Sequence, residues 1–128
     1  MQVTIPHRVH RSFVQAHTEW IFVFSNDHEK HGLEGMAWFF EGEPNAYQVS
    51  TCVKKCKNSR YFNDSNPTHW QWVEDEVARI PLDDRPIVVM PKIGLGCSRM
   101  KELAPKLYTR MWELLDAIRH KDVQITYT

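Results

Sequence analysis

The sequence predicts an α/β domain whose central sheet is largely parallel. Two apolar runs, WIFVF at 20–24 and PIVVMP at 86–91, have the length and composition of strands that are buried on both faces. Segments with apolar residues three or four positions apart lie between and after these runs. Because predicted strands and helices alternate along the chain, the sequence indicates the layered α/β class.

The first half of the chain predicts two strands with a helix between them. The strand at 20–24 ends at the polar turn Ser25-Asn26-Asp27. Apolar residues at helical spacing predict a short helix from about Leu33 to Glu41, and AYQVST at 46–51 alternates as a strand does.

The second half predicts a long loop followed by two helices and two strands. The polar tract at 54–67 is the predicted loop, and loops of this length in a compact domain are often functional. Asn66 as N-cap and Pro67 at the first helical position begin a helix that ends at Pro81. The remaining predicted elements are a strand at 86–91, an amphipathic helix at 103–118 and a closing strand at 122–128.

Length and composition indicate one compact domain, residues 1–128, with 42% apolar residues. Sixteen basic residues balance sixteen acidic ones, so an anionic ligand would need a local site. No apolar run approaches the roughly 20 residues that span a bilayer. Three cysteines are too few for a disulfide scaffold. We therefore expect a cytoplasmic protein without a membrane partner.

A Gly-x-Gly step connects the strand at 86–91 to the helix that follows. Gly94 and Gly96 allow the backbone to approach a ligand closely and to direct N–H groups at an anion. Ordinary turn geometry is the alternative explanation, and the bare pattern leaves both open. The third glycine of a dinucleotide-binding fold and the Lys-Ser/Thr pair of a phosphate loop are absent.

A second polar turn, Asn26-Asp27-His28 with His31 and Gly32 behind it, ends the strand at 20–24. Amide, carboxylate and imidazole groups are suited to holding sugar hydroxyls and moving a proton. An ordinary Asx-turn with exposed histidines is the alternative. Ligands of parallel sheets bind beyond the carboxyl ends of the strands, and both turns are expected at such ends.

The predicted loop adds basic and aromatic side chains. Its basic cluster, which is either solvated or clamps a diphosphate, comprises Lys54, Lys55, Lys57 and Arg60. Aromatic residues that could stack on a base are Tyr61, Phe62, Trp70 and Trp72, although helix packing is the favoured explanation for Trp70. Cys52 and Cys56 lack a second pair of ligands at zinc spacing, so neither a metal nor a cofactor is predicted.

With these residues the sequence resembles the macro domain family. VVMPKIGLGCSRMKELAPKLYTRMWELLDAI at 88–118 is similar to the last strand, diphosphate loop and helix of macro domains, where a Pro-Arg/Lys-Ile-Gly-x-Gly stretch is characteristic. STCVKKCKNSRYFNDSNPTHWQWV at 50–73 is similar to the Thr-Lys-Lys and Lys/Asn-Pro-Thr stretch of compact macro domains that remove terminal ADP-ribose from proteins. FVFSNDHEKHGLEGMA at 22–37 resembles small phage-type macro-like proteins, which makes a phage or bacterial source the expectation.

The resemblance implies a three-layer α/β/α sandwich with a mixed, largely parallel central sheet that binds ADP-ribose or a close relative. Residues implied to wrap the diphosphate or the distal ribose are Gly94, Leu95, Gly96, Cys97 and Ser98. Asn26 and the segment from Gly32 to Gly35 would form the opposite wall. Lys54 or Lys55 falls near the lysine that the deADP-ribosylating group uses as nucleophile.

Three functions are open at this point. The first is hydrolysis of an ADP-ribosylated protein or nucleic acid, or of an ADP-ribose phosphate, with Asp27 or His31 activating water and Asn26 orienting the ribose. The second is a binder that reads or sequesters an NAD-derived nucleotide. Ser98 favours it, because the deADP-ribosylating group has an aspartate there and a serine is no general base near pH 7. The third is a protein-interaction domain with a degenerate pocket.

Overall fold

The computed structural model describes residues 2–6, 9–30, 36–54, 58–119 and 124–127. Over these residues the chain forms a mixed α/β fold, which agrees with the predicted class. A 3₁₀ turn at Gly96–Ser98 lies between the last strand of the main sheet and the helix that follows it. In chain order the elements are β1 (Gln2–Ile5), α1 (Arg11–Ala16), β2 (Ile21–Asp27), α2 (Met36–Phe40), β3 (Ala46–Lys54), β4 (Arg60–Tyr61), α3 (Pro67–Ala78), β5 (Ile87–Val89), α4 (Met100–Leu103), α5 (Pro105–Ile118) and β6 (Gln124–Tyr127).

The main sheet has four strands in the order β4-β3-β2-β5, and β2 runs parallel to both of its neighbours. β4 runs antiparallel to β3. Phe22 pairs with Ala46 on one side and with Val88 on the other, so the apolar run at 21–24 lies in the centre of the sheet and is buried. This arrangement is the reason why the run needs no polar residue on either face.

A separate parallel pair, β1 with β6, joins the two ends of the described chain, with Gln2 opposite Gln124. β6 falls inside the predicted closing strand, whereas β1 and α1 were not expected. β1 has only four residues, of which Val3 and Ile5 are buried. So short an alternation carries little signal in the sequence, because the strand depends on a partner at the far end of the chain.

The start of α3 confirms the prediction from Asn66 and Pro67. The Asn66 side chain accepts a hydrogen bond of 2.9 Å from the backbone N–H of Thr68, and Pro67 occupies the first turn. The helix ends at Ala78, before Pro81. Both signals are local, and therefore the sequence is sufficient to place this helix.

The predicted amphipathic helix at 103–118 is interrupted. α4 ends at Leu103, Ala104 adopts φ −135° and ψ 63°, and α5 begins at Pro105. Proline disfavours helical backbone in the residue before it, which explains the break at Ala104. The apolar spacing beyond the break is correct, since Leu107, Met111 and Leu115 are buried.

One further expectation is confirmed over the residues that the structure describes, and another needs correction. The helix predicted at about 33–41 is α2 over Met36–Phe40, and residues 31–35 lie outside the described part. The stretch predicted as a loop at 54–67 contains β4, whose Tyr61 pairs with Cys52 of β3. A two-residue strand at a sheet edge forms because it pairs with the neighbouring strand, and it is too short to show a periodic pattern in the sequence.

Apolar residues from the N-terminal strand β1 through to α5 form one core, which includes Val3, Phe22, Val73, Ile93 and Met111. Within the described ranges, no helix has the length and apolar character needed to cross a membrane.

Candidate functional site

The two polar segments expected to form a site follow neighbouring parallel strands. β5 pairs with β2 as far as the hydrogen bond that the Met90 N–H donates to the Val23 carbonyl, 2.9 Å. β2 continues beyond this point through Ser25, Asn26 and Asp27. Residues 91–98, here called the elbow, therefore leave the sheet beside the last three residues of β2. The expected meeting of both segments at one sheet edge agrees with this topology.

The elbow turns by adopting left-handed backbone at alternate residues. The φ angles of Lys92, Gly94 and Gly96 are 64°, 90° and 73°. The Leu95 N–H donates to the Lys92 carbonyl and the Arg99 N–H donates to the Gly96 carbonyl, both at 3.0 Å. These bonds hold the turn in a defined shape, which a site on a loop requires.

The two glycines of the elbow have different surroundings. A Cβ at Gly94 would lie 2.7 Å from two ring atoms of Tyr108 and 3.3 Å from the Met111 methyl group. The Trp112 indole N–H also donates to the Ile93 carbonyl at 3.1 Å, so α5 packs directly against the elbow. At Gly96 no atom of the residues that the structure describes lies within 4 Å of the position that a Cβ would take. Packing and turn geometry explain Gly94, whereas Gly96 borders open space.

A cleft of about 420 Å³, here called the elbow cleft, lies against this turn and is lined by Gly94, Leu95, Gly96, Arg99, Lys101 and Glu102. Three of its lining residues are thus among those predicted to bind a ligand. Cys97 is exposed next to them. Ser98 is buried, and its hydroxyl donates to the Leu95 carbonyl at 3.4 Å.

The charged residues of the elbow cleft were missed by the sequence reasoning. Arg99, Lys101 and Glu102 follow the Gly-Leu-Gly step directly, and this proximity is the signal that would have found them. The Lys101 N–H donates to the Gly94 carbonyl at 3.1 Å, and the Arg99 N–H is bound to Gly96. Both cationic residues are therefore held to the elbow through their own backbone.

Asn26 and Asp27 are buried at the carboxyl end of β2, with 1% and 0% of their surface exposed. The Asn26 side-chain oxygen accepts from the Asp27 N–H at 2.8 Å, and the Asp27 carbonyl accepts from the Lys30 N–H at 3.0 Å. The pairing of β2 with β3 shifts register between the two residues. The predicted turn is therefore part of the interior of the fold.

Further predicted residues are divided between the described part and the rest of the chain. Lys54 ends β3 and pairs in register with Arg60 of β4. The predicted residues His31, Gly32, Gly35 and Lys55 lie outside the described residues.

The predicted aromatic residues do not act as one group. Phe62 is buried in the core, and the Trp70 indole N–H donates to the Asp64 carbonyl at 2.8 Å. The Trp72 ring stacks on His28 with ring centres 3.7 Å apart. Of the four, Tyr61 lies nearest the elbow cleft, because the Arg99 guanidinium carbon is 5.6 Å from its ring centre.

A second polar cluster lies between β3 and α3 and had no sequence signal. The Ser50 hydroxyl donates to a carboxylate oxygen of Glu76 at 2.9 Å and lies 3.5 Å from the His28 Nδ1. Burial raises the pKa of Glu76 above its ordinary value, and burial lowers the pKa of His28. His28 is therefore turned towards α3, where its ring stacks on Trp72.

No metal site is found among the residues that the structure describes, where no three His, Cys, Asp or Glu side chains are grouped as ligands. Cys52 is buried, and Cys56 lies outside the described part.

The fold and the elbow cleft define a mixed α/β protein with a glycine turn and flanking charges at one edge of its parallel sheet. The model of a family of unknown function, DUF7831, matches residues 4–114, and the chain belongs to this family. The matched stretch includes β2, the elbow and the elbow cleft. Neither a curated protein nor a solved structure matches the chain significantly.

Proposed function

We propose that the protein is a macro-like domain that binds an ADP-ribose derivative in the elbow cleft and hydrolyses it. The observation that carries this proposal is Gly96, which combines a left-handed φ with open space where a Cβ would be. A diphosphate can approach the backbone at such a position. The proposed architecture is the three-layer α/β/α sandwich of macro domains. The proposed location is the cytoplasm, supported by the free and exposed thiol of Cys97.

Charge in the elbow cleft supports an anionic ligand. The chain as a whole has a formal net charge of zero, so attraction to an anion has to arise locally. Arg99 and Lys101 supply two positive charges against the single negative charge of Glu102. Their positions beside the elbow suit a diphosphate, whose oxygens accept hydrogen bonds from cationic side chains and backbone N–H groups.

In the hydrolytic version, water attacks the anomeric carbon of the distal ribose and the bond from this carbon to the linked group breaks. Asp27 or His31 takes a proton from the attacking water, and the leaving group gains a proton as it departs. The products are free ADP-ribose and the unmodified macromolecule. Asn26 orients the ribose, and Lys54 is the alternative nucleophile that the macro domain resemblance implies.

Binding without turnover is the second candidate, and burial favours it. Asp27 is fully buried, and a general base has to reach the proton that it removes. Ser98 is also buried, with its hydroxyl directed at the Leu95 carbonyl. In this version the protein reads or sequesters an NAD-derived nucleotide and leaves it intact.

Calorimetry with ADP-ribose, followed by chromatography of reactions with ADP-ribose phosphate and an ADP-ribosylated peptide, tests the proposal. The Gly96→Val variant should lose at least about tenfold in affinity, because its side chain fills the cleft where the ligand approaches. Gly42→Val is the matched control, since Gly42 has φ 85° and no described residue comes within 4 Å of its Cβ position. It carries the same backbone strain away from the elbow and should bind as the wild type does.

The outcomes separate the candidates. The enzyme is supported if the wild-type protein consumes a substrate that stays intact with the Asp27→Asn and His31→Ala variants. Tight binding with every substrate intact supports the binder. If ADP-ribose does not bind to the folded wild-type protein, both the hydrolase and the binder are wrong. The protein-interaction domain is then the remaining candidate.

A further inference from the structure

At the elbow cleft, the lining arginine forms an ion pair with the one acidic residue found among the described lining residues. The Arg99 guanidinium donates to the Glu102 carboxylate through Nη2 at 2.8 Å and through Nε at 3.1 Å. Both side chains are exposed, with 45% and 64% of their surface accessible. The pair therefore occupies the guanidinium edge that would otherwise face a ligand in the cleft.

We propose that Glu102 is a built-in competitor for Arg99, so that an anionic ligand binds by displacing the Glu102 carboxylate from the guanidinium. This inference rests on the proposed function, because it assigns a role to two residues of the same cleft. It adds that the cleft selects ligands by charge: a diphosphate can replace the carboxylate, whereas a neutral nucleoside gains nothing from Arg99.

The backbone keeps Arg99 at the cleft whichever partner its side chain has. Its N–H donates to the Gly96 carbonyl at 3.0 Å, and its carbonyl accepts from the Leu103 N–H at 2.8 Å. Its left-handed φ of 51° fixes the direction in which the side chain leaves the chain. The Tyr61 ring beneath the guanidinium adds a cation–π contact. Exchange of partner thus needs only a rotation of the side chain.

Lys101 differs from Arg99 in this respect. Its ammonium lies 5.8 Å from the centre of the Tyr108 ring, and it has no ion-pair partner within the described ranges. The Lys101 ammonium can consequently bind an anion directly, whereas the positive charge of Arg99 is neutralised by Glu102 until the carboxylate is displaced.

The exchange is favourable because the internal pair is weak. Exposed ion pairs contribute little, since water screens them and two side chains are ordered. A phosphate group offers Arg99 two oxygens in the same bidentate geometry with more charge than a carboxylate. We expect removal of the competitor to strengthen anion binding by about two- to fivefold at low salt, the range that an exposed pair supports.

The test is calorimetry with ADP-ribose and with inorganic pyrophosphate on four proteins: wild type, Glu102→Gln, Arg99→Gln and the double variant. Glu102→Gln should bind both anions about two- to fivefold more tightly at low ionic strength. The gain should shrink as salt is added, because the groups are exposed. In the Arg99→Gln background, the same substitution should have a much smaller effect.

Glu113→Gln is the matched control. Glu113 pairs with Arg110 on α5 at the same three-residue spacing, 3.6 Å, and has a similar exposure of 61%. The substitution changes the net charge equally but lies outside the elbow cleft, so affinity should not change.

Three results would overturn the inference: an unchanged affinity in Glu102→Gln, an equal gain in Glu113→Gln, or an equal gain in the Arg99→Gln background. In each of these the wild type still binds ADP-ribose, and the proposed function stands. Failure of every protein to bind either anion rejects both the inference and the proposed function.

Discussion

At the scale of single residues, the two glycines of the elbow are required for different reasons. Gly94 and Gly96 both have positive φ, which costs an L-residue roughly 1–2 kcal/mol. Only Gly94 also faces the ring of Tyr108, at a distance that real side chains do not tolerate. The glycine that packs against α5 and the glycine that borders open space are thus two residues apart.

Gly94→Ala should lower the free energy of unfolding by about 3 kcal/mol, the sum of backbone strain and overpacking. Gly96→Ala and Gly42→Ala have strain without a clash and should each cost about 1 kcal/mol. Urea denaturation of the three variants checks the difference.

Truncation of Tyr108 provides the control for that prediction. In a Tyr108→Ala background the clash is gone, and the cost of Gly94→Ala should fall to the level of Gly42→Ala. Equal costs for all three glycines in the wild-type background would show that contact with α5 does not constrain Gly94.

At the scale of elements, the start of α5 depends on a residue about 40 positions earlier. The Asp64 carboxylate accepts from the N–H of Lys106 at 3.2 Å and from that of Leu107 at 2.9 Å. Ala104, the residue at the N-cap position, makes no side-chain cap hydrogen bond. The N-terminus of α5 is therefore capped by a residue from the segment between β4 and α3. The negative charge of the Asp64 carboxylate also interacts favourably with the positive end of the helix dipole.

Asp64→Ala should destabilise the protein by about 1–2 kcal/mol, because two N–H groups in the first turn of α5 lose their acceptor, and that of Leu107 is half-buried. Thermal or urea unfolding measures the change. Asp84→Ala removes an exposed acid from a bend and should stay within about 0.5 kcal/mol of the wild type. A loss no larger than that of the control would mean that water caps α5 equally well.

At the scale of the whole molecule, β1 pairs with β6 near the other end of the chain and contributes side chains to the common core. Val3 and Ile5 of β1 are 1% exposed and belong to the same apolar cluster as the central strand β2. The intervening Gln2 and Thr4 are exposed. The N-terminal strand is therefore a packed part of the fold.

Ile5→Ala should reduce the free energy of unfolding by about 2–5 kcal/mol, as expected for a large buried side chain that leaves a cavity. Gln2→Ala, on the exposed face of the same strand, is expected to cost no more than about 0.5 kcal/mol. Denaturant titrations of both variants test this. A small effect of Ile5→Ala would show that β1 contributes little to the core.

Local signals made part of the fold predictable. The run at 20–24 is apolar on every residue because β2 is a central strand whose consecutive side chains from Ile21 to Phe24 are all buried. Asn66 with Pro67 specifies the start of α3 through the first turn alone. For the candidate site, the Gly94–Ser98 segment was identified from its glycines, and three of its residues line the elbow cleft.

Other features have no local cause and were missed for that reason. β1 and β4 are short strands that exist through their partners, and Glu76 is buried against Ser50 of a different element. The cap of α5 comes from Asp64, which no spacing rule connects to Pro105. Such contacts depend on how elements pack, and a single sequence carries no periodicity for them.

The sequence by itself determined the α/β class, the order of the central elements and the place of the glycine elbow, because apolar periodicity and turn residues act over a few neighbouring positions. Only the tertiary structure decided which glycine packs against Tyr108, which one borders open space, and that Arg99 and Glu102 meet at the same cleft. These are distances between residues brought together by folding, and the proposed role of the elbow as a binding site depends on them.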